Sequence, residues 1–268
     1  MSRVTLTTLR EMKAAGEKIA CLTAYDSTFA SLLDEAGVEI ILVGDSLGMV
    51  IQGRETTLPV TLEEMIYHSR CVARGCRRAL LMVDMPFMAD ADPLQALHSA
   101  GRLMKEGLAQ MVKLEGGGMQ LETVHRFSAH GIPVCAHLGL QPQSVHKLGG
   151  YRVQGRDART AHRIREDALA LQQAGADMLL LECVPASLGA EISRSVAVPV
   201  IGIGAGPECD AQVLVLYDML GITPGKRPRF SHDFAADGEP GACDIASAVR
   251  RYVEAVKAGT FPAAHHCF

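Results

Sequence analysis

The sequence predicts a (β/α)8 barrel, an α/β fold in which eight parallel strands close on themselves and helices return the chain between them. Three observations predict it. Eight short apolar runs recur along the 268 residues, at 19–25, 39–44, 79–84, 111–115, 133–138, 178–183, 199–204 and 213–218. Segments of helical period lie between most of them, and strand–helix alternation pairs strands in parallel through right-handed crossovers. The runs also lack the alternation of a half-exposed strand, so both faces are buried. An open doubly wound sheet is the alternative; eight runs in this length favour closure.

The elements follow in order. "MSRVTLTTLREMKAAG" is amphipathic and reads as an N-terminal helix. Helices are expected over Ser27–Ala36, Leu62–Arg74, Pro93–Glu106, Met119–Ala129 and Asp157–Ala174. Thr61 with Glu64 forms a capping box that starts the second of these. "DEAGVE", "KEGLAQ", "SAHGIP" and "QQAGAD" each place a glycine where a left-handed cap would end a helix. The link from strand 7 to strand 8 is too short for a full helix. "CDIASAVRRYVEAVKAG" supplies the closing helix. With no linker, repeat or low-complexity segment, the chain reads as a single domain over 1–268. Residues 139–157, "GLQPQSVHKLGGYRVQGRD", carry little regular signal after strand 5 and are a lid candidate. The tail "AAHHCF" is expected to be a mobile terminus rather than a metal-catching site.

Composition excludes several classes. Basic and acidic side chains number 26 and 30, a net charge of −4, and no basic block offers a nucleic-acid footprint. No apolar run reaches the roughly 18 residues of a membrane helix. The N-terminus has no apolar signal core, which points to a cytoplasmic protein. The eight cysteines, Cys21, Cys71, Cys76, Cys135, Cys183, Cys209, Cys243 and Cys267, form no C-x-x-C pair and read as reduced core residues. With 4% aromatic content, the core must be aliphatic.

Active sites of such barrels lie at the C-terminal ends of the strands. Six strands end there in ionisable groups: Tyr25-Asp26, Asp45-Ser46, Asp84, Lys113 with Glu115, His137 and Glu182. Any one acid after a strand is explained as a cap on the helix or turn that follows. Several acids at one mouth repel each other and call for a cation. Asp45, Asp84 and Glu115 come from consecutive strands and are hard oxygen donors, which suits Mg²⁺, with Mn²⁺ next; Zn²⁺ would recruit His or Cys. Glu182, farther round, is free to act as a base. Lys113 lies two residues from Glu115, on the same strand face, and suits an anionic substrate. His137 lines the site without an assigned role. "GIGAG" at 202–206 does not have dinucleotide-binding spacing; its glycines let backbone and ligand approach closely.

The ordered set "TAYD", "VGDSLGM", "TLPVT", "DMPFM", "VKLEGG", "VCAHLGLQPQSV", "GGYRVQGR", "LECVP" and "PVIGIGAG" resembles the ketopantoate hydroxymethyltransferase family, from about residue 3 to 262. The resemblance implies a (β/α)8 barrel assembled as a homodecamer. It also implies Mg²⁺ dependence and 5,10-methylenetetrahydrofolate as one-carbon donor to 3-methyl-2-oxobutanoate in pantothenate synthesis. Carried over by motif, the metal falls on Asp45, Asp84 and Glu115, the keto acid on Asp45, Ser46, Asp84 and Lys113, and the proton acceptor is Glu182. Gln141 stands where the family pattern has Thr, and the "HHCF" tail is not placed by any of these motifs. The runner-up is another Mg²⁺-dependent, enolate-forming barrel of the phosphoenolpyruvate mutase/isocitrate lyase type.

Overall fold

Eight parallel strands pair in chain order, and β8 closes onto β1. They are β1 (Ile19–Thr23), β2 (Ile40–Val43), β3 (Leu80–Asp84), β4 (Met111–Glu115), β5 (Val134–Gly139), β6 (Met178–Glu182), β7 (Val200–Ile203) and β8 (Ala211–Leu214). The structure is a computed structural model and describes residues 3–238 and 244–268. Cys243, one of the cysteines expected in the core, lies outside the described residues. The seven described cysteines are all free thiols.

Around the strands run α1 (Leu6–Ala15), α2 (Ser27–Glu35), α3 (Leu62–Gly75), α4 (Pro93–Lys105), α5 (Leu121–Ala129), α6 (Ala158–Ala174), α7 (Ala186–Ser195) and α8 (Ile245–Lys257). Their starts are written in local chemistry. The expected capping box is formed: Glu64 N donates to Thr61 Oγ1 at 3.2 Å and Thr61 N donates to Glu64 Oε2 at 2.7 Å. Gly37, Gly131 and Gly175 take the left-handed conformation expected after their helices. Gly107 does not; the left-handed residue is Leu108, with φ 62°. Glycine is needed at 107 for close approach instead. A Cβ there would lie 2.5 Å from Leu103 O and 3.3 Å from the Ser69 Cβ, while Ser69 Oγ donates to Gly107 O.

The last strand is displaced from its expected place. The apolar run 213–218 continues past the barrel, but only Ala211–Leu214 is strand, and Leu216–Met219 is a helical turn. Pairing with β1 in the register Ile19↔Ala211 to Leu22↔Leu214 sets the strand's extent. Thr23 Oγ1 then accepts from Leu216 N, which starts the turn. As expected, no helix links β7 to β8.

Two apolar shells follow from strand parity. Side chains that point outward, such as Leu22, Ile41, Leu81 and Leu179, pack under the helices. Those that point inward, including Cys21, Ile40, Leu42, Met82, Met111, Cys135, Leu180 and Val213, fill the barrel, and Val4 and Leu9 plug its lower end. The inward columns matter most for function. Met82 leads to Asp84, Met111 to Lys113 and Glu115, Cys135 to His137, and Leu180 to Glu182 by steps of two residues on one strand face. An aliphatic floor is thereby roofed by a layer of ionisable groups.

The β1–β8 seam is stapled by α8. Tyr252, fully buried, has its hydroxyl 2.9 Å from Cys21 O and 2.8 Å from Gln212 O, on the two strands that close the barrel. Tyr252→Phe removes that donor while keeping the ring. We expect a loss of about 1–2 kcal/mol, a drop of roughly 2–6 °C in Tm, with the far-ultraviolet circular dichroism spectrum unchanged. An unaltered Tm would mean that α8 closes the seam by apolar packing alone.

Candidate active site

The roof of the barrel is the floor of a cavity of about 600 Å³. Asp45, Asp84, Lys113, Glu115 and His137 are all buried in it, and Glu182 is nearly so. Strand register sets who meets whom. Asp84 pairs across with Lys113, Glu115 with His137, and Gly139 with Glu182. Lys113 Nζ stands 3.0 Å from Asp84 Oδ1 and 3.3 Å from His137 Nδ1. His137 Nε2 stands 3.2 Å from Glu182 Oε2, and its Nδ1 is 3.6 Å from Glu115 Oε1.

Asp45 comes from the turn after β2. Its backbone N–H donates to Asp84 Oδ2 at 3.1 Å, which ties the ends of β2 and β3 together. Gly44 permits this closeness, since a Cβ there would lie 2.7 Å from Ser46 Oγ and 3.5 Å from Asp84 Oδ2. Ser46 Oγ shares a 2.9 Å hydrogen bond with the Tyr25 hydroxyl. The residues singled out on the sequence therefore share one cavity, except Tyr25, which reaches it through Ser46, and Asp26. That acid is an N-cap, accepting from Phe29 N at the start of α2.

Several residues at or behind the cavity wall escaped the sequence reading. Gln143 is the most telling: its Nε2 donates to Asp45 Oδ2 and to Met85 O, both at 2.9 Å, and its N–H donates to Glu115 Oε2 at 3.1 Å. It lies in the 139–157 segment, which forms a wall of the cavity through Leu140, Pro142, Tyr151 and Val153. The only sequence signal was a polar residue inside "QPQSV". The tail is a correction. Instead of a mobile terminus, 264–266 form a turn with His266 buried, Ala186 N donates to Phe268 O, and Phe268 lines the cavity. Gly204 of "GIGAG" explains the close approach expected there: a Cβ would lie 2.9 Å from the Phe268 ring and 3.1 Å from the Phe230 ring. The glycine admits the protein's own aromatics.

The electrostatics are unbalanced. Burial pushes the Asp45 carboxyl up to about 7, with Asp84 adding to the effect and Lys113 and Gln143 opposing it. Burial likewise lifts Glu115 well above the usual range against the pull of Lys113. Glu182 is raised to about 7 by burial, again with Lys113 opposing. Burial alone would favour the neutral amine of Lys113, yet Asp84, Glu115 and Asp45 together hold it as an ammonium. His137 is kept neutral by burial and by Lys113. Four carboxyl groups thus face one ammonium, and the excess negative charge with all-oxygen donors fits a hard divalent cation. Among the described residues, no three His, Cys, Asp or Glu side chains are already gathered closely enough to hold an ion. Bound substrate or water would have to complete such a coordination shell.

The raised Glu182 carboxyl fixes a pH dependence for the metal-free protein. The folded state keeps its proton up to about pH 7, whereas the unfolded chain releases it near 4.3. The folded state binds more protons in that window, so this group's contribution to stability falls as pH rises through it. Glu182→Gln should flatten the fall and leave the metal-free variant more stable than the parent at pH 8, by at most about 4 kcal/mol. Urea unfolding at pH 5 and pH 8 checks this. Parallel losses in both proteins would mean that Glu182 is solvated.

Comparison with known proteins adds identity to this geometry. The sequence model of the ketopantoate hydroxymethyltransferase family matches residues 3–264. A 3-methyl-2-oxobutanoate hydroxymethyltransferase from Nitrosococcus oceani is 61% identical over 98% of each chain. Another, from Alkalilimnicola ehrlichii, is 60% identical over 99% of this chain and 94% of its own. Among solved structures, phosphonopyruvate hydrolase in complex with oxalate and Mg²⁺ superposes with a TM-score of 0.60 at 13% identity, covering 80% of this chain and 81% of that one. 2,3-Dimethylmalate lyase, a member of the phosphoenolpyruvate mutase/isocitrate lyase superfamily, gives 0.57 at 16% identity, over 82% and 83%. At such identities these two share the fold alone, so the runner-up reading survives only as a fold relationship. Full-length identity at the level of the first two decides the family: the chain belongs to the ketopantoate hydroxymethyltransferases.

Proposed function

We propose that the cavity transfers a hydroxymethyl group to 3-methyl-2-oxobutanoate with Glu182 as proton acceptor, Mg²⁺ held by Asp45, Asp84 and Glu115, and 5,10-methylenetetrahydrofolate as donor. The observation that carries the reading is the placement of Glu182 at the rim of the same cavity as the Asp84–Lys113 pair. When bound, Mg²⁺ supplies Lewis-acid polarisation of the keto group and offsets the charge of the acid cluster. Lys113 binds the substrate's carboxylate as a buried point charge. Ser46, oriented by Tyr25, donates a hydrogen bond beside it. Glu182 takes the C3 proton, and its raised affinity for protons, about 7, suits an acceptor working near neutral pH. Water takes the one-carbon unit from the donor's two nitrogens as a formaldehyde-level carbon, releasing tetrahydrofolate; the C3 carbon bonds to that carbon, and its oxygen takes up a proton to become the hydroxyl.

The reading extends to a homodecamer in the cytoplasm. Light scattering of the purified chain would show ten times the protomer mass, and a stable monomer would remove that part.

Glu182→Gln keeps size but cannot accept the proton. It should bind Mg²⁺ and 3-methyl-2-oxobutanoate with near-native affinity and lose hydroxymethyl transfer by about 10²–10⁴-fold. It should also lose C3 hydrogen–deuterium exchange in D₂O without folate, followed by NMR. Exchange at the parent rate would move Glu182 to a later step. For Lys113→Ala, titration calorimetry should show keto-acid affinity weakened by about one to two decades, the worth of one charged hydrogen bond. Unchanged affinity would confine Lys113 to holding Asp84.

A further inference from the structure

We propose that His137 is a positioning residue: Lys113 holds its ring in the Nε2–H form, and that N–H orients the Glu182 carboxylate. The proposal rests on the reading of Glu182 as proton acceptor.

The argument is one of donors and acceptors. His137 is buried on β5, above Cys135 and between the ends of β4 and β6. Its Nδ1 has two near neighbours, Lys113 Nζ at 3.3 Å and Glu115 Oε1 at 3.6 Å. An ammonium has only hydrogens to give, and a carboxylate only lone pairs. The two place opposite demands on Nδ1. The ammonium is nearer, and Glu115 is already served through Oε2 by the Gln143 N–H at 3.1 Å. Nδ1 is therefore the acceptor. A second hydrogen on the ring would also set two positive charges side by side in a buried site. With Nδ1 accepting, the ring hydrogen belongs to Nε2.

Among the described residues, the Glu182 carboxylate is the charged acceptor nearest that nitrogen, with Oε2 at 3.2 Å, and the Leu140 backbone also bears on the ring. The approach is oblique, and among the described residues this buried nitrogen has no completed hydrogen bond. A small turn of the Glu182 carboxyl completes the bond. One oxygen is then tethered, the carboxyl torsion is set, and the other oxygen is left for the C3 proton. The chain Asp84–Lys113–His137–Glu182 thus runs across β3, β4, β5 and β6, from the substrate's anion site to the proton acceptor. A group that orients a reacting side chain in this way is typically worth about 10–100-fold.

Two measurements test this on the full-length protein. Magic-angle-spinning NMR of ¹⁵N-histidine-labelled protein, with the His137 signals assigned by their loss in His137→Gln, should show Nε2 protonated and Nδ1 bare. The reverse form overturns the proposal. Kinetically, a Gln amide can replace the Nε2–H donor, and Leu cannot. His137→Gln should keep kcat within about threefold. His137→Leu should lose about 10–100-fold in kcat and in C3 exchange in D₂O, with Kd for 3-methyl-2-oxobutanoate within about threefold of the parent. Equal losses in both variants, or a loss confined to keto-acid affinity, overturn the orienting role. If His137→Leu does not fold, the Gln variant and the spectrum still decide. Glu182→Gln separates the two failures. Exchange retained there sinks the base assignment itself. Exchange lost there but retained in His137→Leu sinks this proposal alone.

Discussion

Lys113 Nζ sits under the mouth of the barrel with carboxyl groups on three sides, and the placement of everything around it follows from that one buried charge. An ammonium taken out of water is costly unless it is closely paired. Asp84, directly across the β3–β4 register at 3.0 Å, does the pairing. Asp84 in turn accepts from the Asp45 backbone, so the turn after β2 is bound to the same centre. On the other side, the nearest acceptor is His137, which passes the contact on toward Glu182. Removing one partner would strand a charge in a dry site, so the group behaves as a unit.

The barrel supports this unit by simple parity. The inward columns of β3 to β6 rise from Met, Cys or Leu to ionisable residues, two of them on β4, so the charged layer rests on close-packed apolar side chains. The geometry is rigid because the strands are hydrogen-bonded all the way round. The enzymes of other specificity that share the fold at 13–16% identity show that the barrel does not choose the reaction. The side chains at the strand ends do, together with the loops that wall the cavity.

Much of this was legible in the residues. β4 was bounded correctly at 111–115 because Glu115-Gly116 ends its run abruptly, and the rim acids stood out because an apolar strand seldom ends in an acid without cause. What was missed depends on contacts distant in sequence. Asp26 and Asp45 look alike after a strand, yet Asp26 finds Phe29 N three residues on, and Asp45 finds Gln143 Nε2 from the loop after β5. β8 slipped because "VLVLYD" stays apolar past the barrel; only pairing with β1 says where strand becomes turn. Gly107 and Leu108 exchanged roles because the Ser69 contact comes from α3. Phe268 was unreadable, since nothing near it in the chain reveals that Gly204 leaves room for its ring.

The seating of Phe268 has a practical consequence for anyone handling the protein. Its carbonyl is engaged by Ala186 at the head of α7, its ring faces the cavity, and Arg229 lies over that ring at 5.4 Å while its Nε donates to His265 O. An affinity tag fused after Phe268 would start from the cavity wall and compete with this seating. The opposite end is the safer place for a handle: Thr5 caps α1 at the surface, and Val4 and Leu9 plug the barrel at the end away from the rim.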